Sequence, residues 1–262
     1  MSTSTDLAGL RAERRDVIDF CATLTDAEWM APSRASGWTV KDVVAHMTGD
    51  LRTLVTPDLL SYLTTSRIEQ LNERGVARSR GRSPDQVLRD FARWTRPGIA
   101  VLSAVTVPGI RAIPMRVGEL GWYPMRLLPG MFVFDWHAHL RHDIATAIDR
   151  EPPAIDTERM STITTWLMAV LEKSHGSRLR WLDVPVGLVL TGAGGGAWRV
   201  EPTGRGLRVR RGPVGGTAAR ITGSAADIPL WSTTRVPWRT CDIDIHGDSE
   251  IATRFLDNLD LV

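Results

Sequence analysis

The side chains with the most chemistry to offer crowd into one stretch, Phe134-Asp-Trp-His-Ala-His-Leu-Arg-His-Asp143, which holds three of the chain's six histidines. A helix wound through it at about 100° per residue, with Asp135 as zero, places His139 near 40°, His142 near 340° and Asp143 near 80°. These four share one face, while His137, at about 200°, points away with Ile144. An Asp-x-x-x-His spacing sets a carboxylate and an imidazole one turn apart, as a metal chelate on a helix requires.

A catalytic zinc takes three protein ligands and keeps one position open. His46 is the candidate for the third ligand. It stands at the margin of the apolar stripe Val40, Val43, Val44 and Met47, so it faces a bundle interior obliquely. Asp42 and Asp50 lie one turn to either side, and either one can hold its second nitrogen. The run Gly192-Ala-Gly-Gly-Gly-Ala197 has the look of a phosphate loop but lacks the Lys-Ser/Thr that completes one, and no helical pattern follows it. It reads as a hairpin turn.

The elements that must position these groups fall into two kinds. Leu7–Leu24 is an amphipathic helix. Thr25 with Glu28 forms a capping-box pattern for a short helix that Pro32 closes, and Thr39 with Asp42 opens the helix of His46. Ser83-Pro84-Asp85 opens another helix through Leu88, Phe91 and Trp94, with Pro97 as its end or its kink. A Gly- and Pro-rich loop is expected over 108–130, then helices over 131–148 and 157–173. After Gly176 the period changes: 187–191, 197–200, 206–210 and 218–222 are short, partly alternating and bounded by Gly or Pro, which is strand grammar. Helices are expected at 224–231 and 249–259. The reading is an N-terminal helical bundle over 1–176 and a small α+β domain over 177–262.

Composition excludes several alternatives. With 43% hydrophobic and 24% charged residues, the 262-residue chain is neither disordered nor a coiled coil. A net charge of +2 gives no reason to expect nucleic acid or an anionic membrane as partner. Two cysteines, Cys21 and Cys241, make no disulfide framework. The opening Met1-Ser-Thr-Ser-Thr-Asp6 is unlike a signal peptide, and the apolar run 98–110 is too short and too interrupted to span a bilayer. A cytoplasmic location is therefore expected. Ten Trp against two Tyr and five Phe marks Trp as the packing aromatic of the chain.

Leu24-Thr-Asp-Ala-Glu-Trp29 and Gly37-Trp-Thr-Val-Lys-Asp-Val-Val-Ala-His46 resemble the opening of the mycothiol-dependent maleylpyruvate isomerase family, part of the wider DinB-like metalloenzyme bundles. The resemblance implies a DinB-like four-helix bundle in which His46 is a zinc ligand. Asp135 and His139 match the family's later carboxylate and the histidine four residues on. The stretch Gly223–Arg235, followed by Ile245-His-Gly-Asp248, resembles the ending of the family's small domain, which is similar to sterol carrier proteins. This implies a substrate contact for Arg235, whose planar fork suits a carboxylate; a solvated loop cation is the other reading.

Two departures stand out. The family's isomerase has Glu where this chain has Asp135, and His142-Asp143 differs from the usual pattern, leaving His142 open as a further ligand, a general base or a bystander. The implied cosubstrate is a low-molecular-weight thiol, mycothiol in the family, used with a small-molecule substrate. Three functions follow: cis–trans isomerisation by thiolate addition and elimination, S-transfer to an electrophile, or non-catalytic small-molecule binding.

Overall fold

The computed structural model describes residues 3–64, 68–173, 178–204 and 206–261. Its helical region begins with α1 (Thr3–Cys21) and α2 (Asp26–Met30). Thr25 caps α2: its hydroxyl accepts from the Glu28 N–H, and Glu28 Oε2 accepts the Thr25 N–H at 2.7 Å. The same reciprocal pair, Thr39 with Asp42, opens α3 (Val40–Thr53). Such boxes satisfy orphan amides of a first helical turn and so fix where the helix starts. Two short helices follow, α4 (Asp58–Thr64) and α5 (Ile68–Ala77), for which the sequence carried no clear signal. A third box, Ser83 with Gln86, opens α6 (Pro84–Val105).

Pro97 does not end α6, which continues for two further turns. Beside it, Gly98 lets α6 approach α3 closely: a Cβ there would lie 2.6 Å from Leu51 Cβ and 2.7 Å from its carbonyl oxygen. The expected loop over 108–130 holds a hairpin instead, β1 (Pro114–Val117) against β2 (Gly121–Pro124), antiparallel with Met115 opposite Tyr123. Gly118 and Gly121, both at positive φ, make its turn.

The long helix expected over 131–148 is composite. It starts early as α7 (Leu128–His137), with Pro129 in its first turn. It widens into a π-helical segment over Ala138–Ile144 and tightens to a 3₁₀ turn over Ala145–Ile148. Arg141, buried in the π segment, ties it to α1 through Nη1 to Glu13 Oε2 at 2.6 Å and Nη2 to Asp16 Oδ2 at 2.8 Å. Trp136 is fully buried, its ring 5.0 Å from that of Phe91 on α6.

Contacts along the chain separate Met1–Ala154 from Ile155–Val262. The junction that the sequence places at 176–177 lies outside the described residues. Helix α8 (Thr157–Lys173), which the sequence reading grouped with the bundle, sorts with the second unit. The reason is local: α8 packs on the sheet, where Glu172 Oε2 accepts the Val209 N–H at 3.0 Å.

The sheet comprises β3 (Val186–Thr191), β4 (Gly196–Thr203), β5 (Gly206–Arg211), β6 (Ala219–Ser224) and β7 (Asp244–Gly247). Its order is β5-β4-β3-β6-β7, with β3 and β6 parallel and the other neighbours antiparallel. The glycine run is the β3–β4 hairpin turn, with Gly192 and Gly194 at positive φ. The helix expected at 224–231 shortens to α9 (Ile228–Trp231), because Ser224 is still paired with Thr191 as the last residue of β6. Helix α10 (Ser249–Asp257) is capped by Asp248 and packs on β6. The architecture is thus a helical region followed by an α+β domain. Among the described residues, no helix is long and apolar enough to cross a membrane.

Candidate metal centre

The capping box at Thr39 starts α3 at a residue that turns its apolar stripe inward, and His46, which is 8% exposed, comes in with it. The Trp38 ring lies 5.0 Å from the His46 ring. Asp42 is spent on the cap, its Oδ2 accepting the Thr39 N–H at 3.0 Å. Asp50 is the carboxylate beside His46, with Oδ1 3.8 Å from Nδ1. Of the two acids the sequence left open, Asp50 is therefore the one beside the imidazole, at a distance beyond a direct hydrogen bond.

From the other side, α7 and the π segment bring Asp135 and His139. The His139 ring meets the His46 ring edge-on at 4.9 Å. His139 Nδ1 lies 2.8 Å from Asp143 Oδ2, and its Nε2 lies 3.5 Å from Asp135 Oδ1. One donor atom from each of His46, Asp135 and His139 falls within 4.8 Å of the others. Ligands at about 2.0–2.2 Å around a tetrahedral zinc stand about 3.3 Å apart, so side-chain movements of up to about 1.5 Å close this set on an ion. Asp135 Oδ2 and Asp50 Oδ2 are both buried, and the Asp50 carboxyl hydrogen-bonds to that of Asp135. Two buried acids pressed together cannot both ionise cheaply, and a cation at this point removes that cost.

Electrostatics match the geometry. Burial, helped by the charge of His139, pushes the His46 pKa down to about 4, so its imidazole is neutral with a lone pair to give. Burial acts the same way on His139, but the flanking Asp135 and Asp143 carboxylates outweigh it and hold the pKa up to about 10. Burial tends to raise Asp135, yet His139 and His46 keep it below the usual carboxylate range. Asp50 goes well above that range, through burial and the adjacent charge of Asp135. An imidazolium between two carboxylates is the protonated counterpart of a metal site: an ion takes the place of the proton on Nε2.

His142 is not in the donor group. Its ring packs edge-on at 5.2 Å against that of His137, five residues earlier. The 100° winding assumed an α-helix, whereas a π-helical segment brings residues i and i+5 together. Asp143 stays beside His139, and its backbone carbonyl accepts the Arg34 N–H at 3.0 Å, which ties this segment to the link between α2 and α3. Arg235 belongs to the second unit, just after α9. There its Nη1 donates to Thr233 Oγ1 at 2.9 Å and its N–H donates to the Leu230 carbonyl at 3.0 Å.

His46 also lines a cleft of about 430 Å³ within the helical unit, bounded by α3, α4, α5, the α5–α6 link and α6. The sequence reading missed the arginines on its walls.

Residues 10–128 match the family described as the mycothiol maleylpyruvate isomerase N-terminal domain. That match lies within the helical unit and covers most of it. The match includes His46 and stops short of Asp135 and His139, which the fold supplies from α7 and the π segment. A crystal structure of the mycothiol-dependent maleylpyruvate isomerase superposes with a TM-score of 0.58 at 14% identity, over 90% of each chain. A histidine-to-alanine mutant of that isomerase gives a TM-score of 0.55 at 15% identity, again over 90% of each chain. At such identities the likeness is one of fold. No curated protein matches the sequence.

Proposed function

We propose that His46, Asp135 and His139 hold one divalent ion, zinc by the chemistry of two imidazoles and a carboxylate, and that the chain is a metal-dependent, thiol-using enzyme. The observation that carries this is the meeting of three donor atoms within 4.8 Å, with His139 steadied by Asp143. A bound ion supplies Lewis acidity that favours the thiolate of a low-molecular-weight thiol over the thiol. The match of residues 10–128 to the mycothiol maleylpyruvate isomerase N-terminal domain supports mycothiol as the thiol.

The reaction we favour is cis–trans isomerisation of a carboxyl-activated double bond, as the name of the structural relative suggests. The thiol sulfur bonds to one alkene carbon, the remaining single bond rotates, and loss of the same thiol restores the double bond in the other geometry. Asp143 keeps the His139 proton on Nδ1 and so keeps Nε2 directed at the ion. Asp50, 3.8 Å from His46 Nδ1, stands beside that ring as a buried acid hydrogen-bonded to Asp135. Trp38 covers the His46 ring and limits water at that ligand. Arg235 is assigned a substrate carboxylate, with Thr233 fixing its guanidinium. We assign His142 to packing against His137. The cytoplasm, where such thiols act, is the location that fits this reading.

The experiment supplies the zinc-loaded protein with mycothiol and either maleylpyruvate or monobromobimane, a generic electrophile. Thiol-dependent isomerisation without net thiol consumption supports the isomerase. A stable thioether with bimane and no isomerisation makes the protein an S-transferase. Neither product makes it a binding protein and ends the enzymatic reading.

A further inference from the structure

We infer that Arg52 and Arg93, in the cleft beside His46, hold one carboxylate of the substrate; this adds two binding residues to the thiol-enzyme reading above and rests on it. Arg52 on α3 and Arg93 on α6 line the same cleft as His46 and Asp50. Each guanidinium lies 5.4 Å from the centre of the Trp94 ring, so one indole carries two cations. Two like charges against one side chain repel unless an anion joins them. Among the described residues, no carboxylate pairs with either arginine, whereas the neighbouring Arg78 and Arg82 are paired with Asp58 and Asp90. Arg52 Nε is buried and has no hydrogen-bond partner among the described residues. A buried guanidinium N–H without an acceptor costs stability that a ligand oxygen recovers.

Location and size agree with this. Arg52 follows His46 by six residues on α3, a rise of about 9 Å, the reach of a short-chain acid. A cleft of about 430 Å³ is in the range of small-molecule sites. Lys41, with Nζ donating to the carbonyls of Arg80 and Arg82 at 3.0 and 3.2 Å, anchors the loop that forms part of its wall. The walls are mainly polar and charged, with Leu71 and Trp94 as the large apolar side chains. Such a lining suits a hydrophilic carboxylic acid and disfavours a sterol, an acyl chain or a bulky aromatic electrophile.

The test is calorimetric titration of maleate, a small dicarboxylate, into the full-length protein, both zinc-loaded and after chelation. Maleate is expected to bind the unmutated protein in both states. Arg52→Met is expected to weaken binding tenfold or more in both, and Arg52→Lys to recover part of the loss. Dimethyl maleate, of like shape but uncharged, should give no heat of binding. The inference is overturned if Arg52→Met binds maleate as well as the unmutated chain, if the diester binds equally, or if chelation abolishes binding altogether. Arg93→Gln carries the same expectation should Arg52→Met fail to fold. The two readings can fail separately: maleate held through Arg52 without mycothiol-dependent turnover ends the proposed function alone, and mycothiol-dependent turnover indifferent to Arg52→Met ends this inference alone.

Discussion

Asp143 Oδ2 sits 2.8 Å from Nδ1 of His139, one turn beyond Asp135 on the same segment. That bond fixes which ring nitrogen carries the proton and turns the other toward Asp135 and His46. A carboxylate in this position raises the basicity of a metal-binding imidazole and holds its plane. Replacing it by alanine leaves the ligands in place but loosens one of them. Asp143→Ala is therefore expected to weaken zinc binding about 10- to 100-fold in competition with a chromophoric chelator, with the helical content unchanged. Unaltered affinity would mean that His139 is not a ligand.

The ligands themselves should separate activity from folding. Asp135→Ala and His139→Ala are expected to abolish turnover, by at least about 1000-fold, while circular dichroism and cooperative thermal unfolding stay close to those of the chelated protein. Helix packing around Trp136, Phe91 and the Arg141–Glu13 pair holds this region together without an ion. Activity surviving in both variants would show the wrong residues had been assigned to the metal.

Removing the ion should expose the titration of His139. Its folded-state pKa, held up to about 10 against an ordinary 6.5, means that the folded chain binds the proton more tightly than the unfolded one. The stability this adds is present in full below pH 6.5 and is lost as pH rises through about 10. His46 acts in the opposite sense: with its pKa near 4, acidification from 6.5 toward 4 protonates the unfolded chain first and destabilises the fold. Urea unfolding of the chelated protein should therefore show the unmutated chain losing its advantage over His139→Gln, by on the order of 3 kcal/mol, between neutral pH and about pH 10. Parallel curves for the two proteins would contradict the ion-paired imidazolium.

The nucleophile in this account is a small-molecule thiol, so the protein's own thiols should be dispensable. Cys21 is buried and its pKa is pushed up to about 12 by loss of hydration, while burial also raises that of Cys241. Neither offers much thiolate near neutral pH. A Cys21→Ala, Cys241→Ser double variant is expected to keep mycothiol-dependent turnover within about twofold, beyond any loss from the Cys21 cavity to stability. Loss of turnover in a folded double variant would move the nucleophile onto the protein.

What could be read from the residues, and what could not, divides along physical lines. The starts of α2, α3 and α6 were legible because a capping box is local: a side chain and an amide three residues apart. His46 followed from its place on the apolar stripe, and Asp135 with His139 from i, i+4 spacing, which either a regular or a slightly widened helix preserves. His142 was misplaced on the shared face because the π-helical widening over Ala138–Ile144 leaves no mark in composition; it appears in bonds such as that from the Ala145 N–H to the Leu140 carbonyl. Helices α4 and α5 lack a capping motif of that clarity. Arg52 was invisible because nothing in its neighbourhood on α3 distinguishes it. Its standing comes from Trp94 and Arg93, some forty residues on, which only packing brings to the same cleft.

Metal analysis of the protein purified without chelator tests the central claim most directly. About one zinc per chain is expected in the unmutated protein, and essentially none in a folded His46→Ala variant prepared in parallel. Equal metal in both preparations, or none in either, would contradict a site assembled from α3, α7 and the π segment.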